Sequence, residues 1–288
     1  MDLNLEQYVK QANNGNRQAL ELVVSRIQEK IYGLALRMMR NPEDAEDEAQ
    51  EILIKVITHM SDFREESTFS SWVYRVACNH LLTKRKRKSE RERMTFDFVE
   101  EFISAQDENT NPLTVSGPER DVLQEEARFV CMQSVLACLE KELRIAFILG
   151  DLYEVTSKEG AFILGITPVT FRKRLSRSRT HLQNFMLKHC GIVNKNNTCR
   201  CDKNAARRLK QCLATPGKKT FIIKEVAAKN RDDAVAHWKE LSEIHRTVAM
   251  FRRYPEYQSP DSFTNIVRDL VDSGKYKFFN NTPCREIL

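Results

Sequence analysis

The stretch DAEDEAQEILIKVITHMSDFREESTFSSWVYRVACNHLLTKRKRK, Asp44 to Lys88, decides the fold. It holds two helical patterns in succession. Ala45, Ala49, Ile52, Leu53, Val56, Ile57 and Met60 recur at three- and four-residue steps and make one apolar stripe. Asp47, Gln50, Glu51 and Ile54 fall on the opposite face. Just upstream, Asn41 is a good N-cap and Pro42 a good first helical residue. Glu43, Asp44, Glu46 and Asp47 crowd the first turns, where the helix dipole favours negative charge. A second helix begins near Thr68, with Phe69, Trp72, Val73, Val76 and Ala77 as its inner stripe. It runs into Lys84, Arg85, Lys86, Arg87 and Lys88, more cations than a C-terminal dipole calls for.

Outward from this stretch the chain stays helical. Leu20, Val23, Val24, Ile27, Ile31, Leu34, Ala35 and Met38 give a stripe over residues 17–40, ended by Asn41-Pro42. Further helices are expected from about Glu119 to Leu139 and from Lys141 to Leu149. Others are expected from about Asp232 to Phe251 and from Pro260 to Ser273. Glycine and proline number only 9 and 8 in 288 residues, too few for the tight turns of a sandwich or barrel. The expected fold is all-α: two small helical domains, a flexible acidic linker and a helical C-terminal extension. The boundaries read as 1–92, 93–118, 119–189 and 190–288.

Net charge is only +6, but its sign is segregated. Met94 to Glu119 contains no Lys or Arg, while Gly160 to His189 contains no Asp or Glu. The first stretch should repel nucleic acid and the second attract it. The start, MDLNLEQYVKQ, lacks the basic and apolar regions of a signal peptide. No run of ~18 apolar residues is present, so no membrane insertion is expected and a cytoplasmic location is. Eight cysteines are then read as thiols or metal ligands rather than a disulfide framework.

A second block, SKEGAFILGITPVTFRKRLSRSRTHL from Ser157 to Leu182, has the order of a helix-turn-helix. Ser157 to Leu164 suits the first helix, and Gly165 tolerates the positive φ of the turn. Thr167 and Pro168 suit the start of the second helix. Ile163, Leu164, Ile166, Phe171 and Leu175 can pack the pair. Val169, Thr170, Arg172, Lys173 and Arg174 then face outward, where Arg and Lys can read guanine edges in a major groove. Arg177, Arg179 and Lys188 suit phosphates. A helical hairpin with a merely solvated basic face is the plainer alternative. Gly160 is expected to weaken the first helix by ~1 kcal/mol relative to Ala.

The two blocks together resemble the small, extracytoplasmic-function (ECF) class of bacterial RNA polymerase sigma factors, over residues of about 5 to 190. The resemblance implies a non-enzymatic initiation factor whose partners are core RNA polymerase and promoter DNA, and it leaves room for an anti-sigma protein. DAEDEAQEILIKV is similar to the polymerase-binding helix of sigma region two, so Asp44, Asp47, Gln50 and Glu51 would meet a basic surface. FREESTFSSWVYRVACNHLL is similar to the minus-ten segment. There Arg64, Ser67, Tyr74, Arg75 and Asn79 would line an unpaired strand, while Lys84, Arg85 and Arg87 would hold phosphates. Gly160 departs from the aliphatic residue usual in the family. Val169, Thr170, Arg172, Lys173, Arg174, Arg177 and Arg179 would serve the minus-thirty-five element. The linker would thread the polymerase or act as a passive spacer. Two other readings stay open: a conventional helix-turn-helix regulator with a metal- or redox-sensing tail, and a metal-dependent nuclease. The second lacks a carboxylate–His constellation to support it.

No cofactor is required by any of this. His189, Cys190, Cys199 and Cys201 nevertheless offer four soft ligands for zinc, with Cys212 as another candidate. A redox-sensitive group or simply free thiols are the competing readings. Cys78, Cys131 and Cys138 read as small core residues, and Cys284 as incidental. MFRRYPEYQSPDSF, Met250 to Phe263, is similar to C-terminal extensions of some members of the class, which regulate the sigma factor. Binding a partner or bracing the second domain are equal alternatives for it.

Overall fold

The computed structural model describes residues 5–39, 41–83, 94–104, 118–206, 243–252 and 263. These residues fold into helices, with no β-strand among them. They cluster as two compact units. The first lies within Met1–Arg85 and Thr156–Pro168 and includes Phe263; the second lies within Lys86–Val155 and Val169–Pro255.

In the first unit α1 (Leu5–Asn13), α2 (Arg17–Met39), α3 (Pro42–Thr58) and α4 (Phe69–Thr83) pack around the stripes expected from their periodicity. Leu20, Ile27, Ile31, Leu34, Ala45, Ala49, Ile52, Val56, Met60, Phe69 and Ala77 are essentially inaccessible to solvent. The starts of α3 and α4 are capped by side chains. Asn41 Oδ1 accepts from the Glu43 amide at 3.0 Å, with Pro42 at the first helical position. Thr68 Oγ1 accepts from the Ser71 amide at 3.2 Å, and Glu6 of α1 reaches the Phe69 amide at 3.2 Å. Trp72 is half-buried and stacks on Phe69, with ring centroids 5.5 Å apart and Phe63 alongside. Its indole therefore serves the packing of this unit.

One buried polar element ties α3 to α4. His80 Nε2 lies 2.6 Å from Glu48 Oε2, and both side chains are almost fully enclosed. Lys55 Nζ lies 2.6 Å from His80 Nδ1. Lys55 donates, so Nδ1 accepts and Nε2–H donates to Glu48, which fixes the neutral tautomer of the ring. Glu51 Oε2 is 3.7 Å from the same Nε2.

The sequence places Ser157–Leu164 with the second domain. In the structure this helix, α8, packs on α4 within the first unit. Its buried side carries Gly160, Ala161 and Ile163, so Gly160 faces packing rather than water. Thr156 and Glu159 close a reciprocal capping box, with the Thr156 hydroxyl accepting from the Glu159 amide at 3.3 Å. At the other end Gly165 has φ +63°, and a Cβ there would meet nothing within 4 Å. Backbone handedness alone thus requires this glycine. Gly165→Ala should destabilise the unit by about 1–2 kcal/mol and Gly165→Asn by less, read from thermal unfolding of the full chain.

The second unit contains α5 (Phe96–Ser104), α6 (Pro118–Ala137), α7 (Lys141–Phe147), a π-helical turn (Ile148–Leu152), α9 (Pro168–His189) and α10 (Glu243–Arg252). α5 is a departure from the flexible linker expected over 94–118. Thr95 Oγ1 accepts from the Phe98 amide at 3.1 Å, and Phe96 packs on Phe185, with centroids 5.2 Å apart. Acidic composition hid an i, i+3, i+4 pattern of Phe98, Val99, Phe102 and Ile103. Residues 105–117 lie outside the described set. The core is Val135, Leu136, Ile145, Phe147, Ile148, Leu149, Leu182 and Met186. Arg144 donates to the Ala137 and Leu139 carbonyls at 2.6 and 2.9 Å, satisfying the end of α6. From the tail, Phe251 stands edge-on to Phe147 at 5.3 Å, and Arg252 donates to the Asp151 carbonyl at 2.7 Å. Phe263 is fully buried in the first unit, edge-on to Tyr32 at 5.9 Å. The rest of the expected tail helices lies outside the described residues.

Candidate nucleic-acid interface

α9 carries the basic surface. Pro168 begins it, and Phe171, Ser178, Leu182, Phe185 and Met186 turn inward. Helical spacing then forces Arg172, Lys173 and Arg177 outward, and all three are exposed. Val169 is 51% exposed, a large apolar side chain left in water at the start of the helix. Thr170 and Arg174 are half-buried at the margin. This is a one-sided cationic helix with its first turns open, the form that enters a major groove.

Arg179 differs from its neighbours. Its Nε and Nη2 donate to both oxygens of Asp151 at 2.8 and 2.7 Å. The Asp151 side chain is 3% exposed and the Arg179 side chain 44%. The hydrogen bond to Asp151 raises the guanidinium pKa above its ordinary value. Arg179 therefore fixes α9 onto the π-helical turn, a bidentate role that sequence spacing did not suggest. Lys188, also read as a phosphate contact, pairs with Glu100 of α5 at 2.8 Å. That bond holds the Glu100 carboxyl below the usual range.

In the first unit Arg64, Arg75 and Asn79 are exposed, while Ser67 and Tyr74 are half-buried. Arg64 and Ser67 lie in the loop before α4, and Tyr74, Arg75 and Asn79 follow at helical steps along it. The Arg75 guanidinium lies over the Phe162 ring of α8, 4.9 Å from its centroid. Lys84, Arg85 and Arg87 fall outside the described residues.

The acidic face of α3 stands apart from the unit's core. Asp47 and Glu51 are exposed, and Asp44 and Gln50 are half-buried beside them. Glu48 belongs instead to the buried pair with His80. The signal was present in the sequence, because Glu48 falls between Ala45 and Ile52 on the apolar stripe.

The thiols also divide. Cys78 is buried within α4 and Cys138 is buried just after α6, where its Sγ donates to the Ser134 carbonyl at 3.2 Å. Cys190, Cys199 and Cys201 line one cavity, joined there by Cys131 of α6. Cys131 was read as a core residue, and the 59-residue gap to Cys190 gave no cue to their meeting. His189 lines the same cavity, but its Nε2 is 3.6 Å from Glu100 and its ring packs on Phe185. Burial lowers its pKa. No described helix is long and apolar enough to cross a membrane.

These surfaces agree with what the chain is similar to. Residues 23–91 match the Sigma-70 region 2 family and residues 129–182 match the Sigma-70, region 4 family. The RNA polymerase sigma-H factor of Pseudomonas aeruginosa is 30% identical over 179 residues, which cover 60% of this chain and 89% of that protein. The ECF RNA polymerase sigma-E factor of Haemophilus influenzae is 30% identical over 179 residues, covering 61% and 92% respectively. The solved sigma factor RpoE from Bartonella quintana, in complex with the anti-sigma factor NepR, aligns at a TM-score of 0.39. Its identity is 21%, over 57% of this chain and 93% of that one, too loose a likeness to compare arrangements. With a region-two match over the acidic and aromatic helices and a region-four match ending on the basic one, this chain belongs to the ECF sigma factors of bacterial RNA polymerase.

Proposed function

We propose that this sigma factor divides promoter recognition among three surfaces. The face of Asp44, Asp47, Gln50 and Glu51 docks on core polymerase. The loop and α4, through Arg64, Ser67, Tyr74, Arg75 and Asn79, with Lys84, Arg85 and Arg87 beyond them, take the minus-ten element. The first turns of α9, through Val169, Thr170, Arg172, Lys173, Arg174 and Arg177, take the minus-thirty-five element. The observation that carries this reading is the one-sided charge of two helices. α3 exposes carboxylates opposite a sealed apolar stripe, and α9 exposes cations with no acid among them. A carboxylate face repels DNA and suits a basic protein partner, whereas the α9 face attracts phosphate. Arg179 supports the α9 surface by holding that helix in place. Arg75 must leave Phe162 before it can reach a strand.

The conventional-regulator reading is not favoured, because such a protein has no use for a region-two surface. The polymerase performs the phosphoryl transfer. Arg172→Ala should lower affinity for a minus-thirty-five duplex or relax its selectivity, by about 1–3 kcal/mol if the side chain pairs bidentately with a base. Lys173→Ala should weaken all duplexes alike and flatten the salt dependence. Fluorescence anisotropy on matched and mismatched duplexes at two salt concentrations separates them. If both variants bound like the wild type, the readout surface would lie elsewhere.

A further inference from the structure

We propose that Cys131, Cys190, Cys199 and Cys201 form a tetrathiolate site for a soft divalent ion of the zinc class, clipping α6 to the end of α9. This goes beyond the promoter reading and does not depend on it.

Three pieces of chain converge. Cys131 comes from α6, Cys190 follows the last turn of α9, and Cys199 and Cys201 lie where the chain returns into a helical turn over 201–206. Their meeting is built by the backbone. Cys190 and Cys199 form a parallel bridge. A Cβ on Gly191 would collide with the Cys199 carbonyl and the Arg200 guanidinium, so only glycine admits that approach. Asn197 Nδ2 donates to the Leu187 and Cys190 carbonyls at 2.9 and 3.2 Å, and Asn194 Nδ2 to Leu187 at 3.3 Å. These side chains cap the open carbonyls of α9 and hold the loop.

The surroundings suit thiolates. Asn204 Nδ2 donates to Cys199 Sγ at 3.5 Å. Arg128 lines the same cavity, and its buried Nε has no hydrogen-bond partner. A side-chain donor on one cavity sulfur and an unpartnered guanidinium Nε at the same cavity are the kind of outer shell that orients a metal thiolate. Four thiols release four protons on binding one divalent ion, leaving two negative charges at the site. Arg128 lines the cavity and Arg200 donates to the Cys199 carbonyl at 3.1 Å, so both cations stand at the site. The cavity between the side chains is about 10 Å³, room for one ion or water-sized occupant.

The sulfurs are gathered but not yet at bonding separation. Among the described residues the one set of ligand atoms all within 4.8 Å of each other is Glu48, Glu51 and His80. Lys55 occupies the His80 Nδ1 edge of that set, which marks a structural network. No three of the four cavity sulfurs lie that close together, so an ion would draw the whole set inward. His189 is left out of the ligand set because it is engaged with Glu100 and Phe185, whereas Cys131 lines the cavity with the other three thiols.

Cobalt(II) titration of the reduced full chain tests this. The wild type should bind one ion tetrahedrally, with an intense sulfur-to-cobalt charge-transfer band that zinc abolishes. His189→Ala and Cys138→Ser should keep the band. Cys131→Ser should weaken cobalt affinity at least about 100-fold. Cys131→His should keep a tetrahedral ion with a weaker charge-transfer band, which guards against a merely misfolded serine variant. A wild-type spectrum with no charge-transfer band would overturn the site. So would loss of the band in His189→Ala with Cys131→Ser unaffected.

Discussion

Replacing Asp47 and Glu51 together by lysine should weaken binding to core RNA polymerase by on the order of 100-fold. Both side chains are exposed on α3, on the side away from Ala45, Ala49 and Ile52, so the helix can accept the change without repacking. The loss would come from like charge placed against a basic partner, which costs several kcal/mol at a well-matched interface. Glu51 lies 3.7 Å from His80, so Glu51→Gln serves as a control for any effect on folding. Duplex binding through α9 should be unchanged. Affinity for core polymerase, measured by competition with a labelled wild-type chain, reads the effect. If the double variant competed as well as the wild type, this face would not be the docking surface.

His80→Ala should destabilise the first unit by about 3 kcal/mol, the cost of removing one member of a buried hydrogen-bonded pair that holds a carboxylate. Glu48 is 2% exposed and has its imidazole partner at 2.6 Å. Adding Glu48→Leu to His80→Ala should recover a large part of that loss, because two apolar residues at the site leave no orphan charge. The non-additivity is the signature of a coupled pair. Trp72 sits in this unit, so Trp238→Phe gives a background in which fluorescence during urea unfolding follows that unit. Equal, additive losses in the two single variants and their combination would show that His80 and Glu48 act independently.

Helices with one clear apolar stripe were legible from the chain alone. α2, α3 and α4 start within a residue or two of their expected positions, because Asn41-Pro42 and Thr68 are strong local signals. α8 and the positive φ at Gly165 follow for the same reason. Long-range pairing was not legible. Glu48 with His80, Asp151 with Arg179, and Cys131 with the thiols after α9 join residues 32, 28 and 59 or more positions apart. Nothing in local periodicity specifies such partners. α5 was lost because charge composition was given more weight than the spacing of four apolar residues. For the binding faces, periodicity could name which residues point outward, and the resemblance supplied what they meet.

As a sigma factor this chain directs promoter-specific initiation. Run-off transcription by purified bacterial core polymerase on a pooled promoter library, with and without the full chain, tests it most directly. The expected result is a set of protein-dependent transcripts that start a fixed distance from a shared two-part motif. Asp47→Lys/Glu51→Lys should reduce all of them, and Arg172→Ala should reduce or redistribute them. A chain of residues 1–190 run beside it shows whether the tail restrains activity. Transcripts no different from core polymerase alone with either chain, together with tight duplex binding in its absence, would contradict the account.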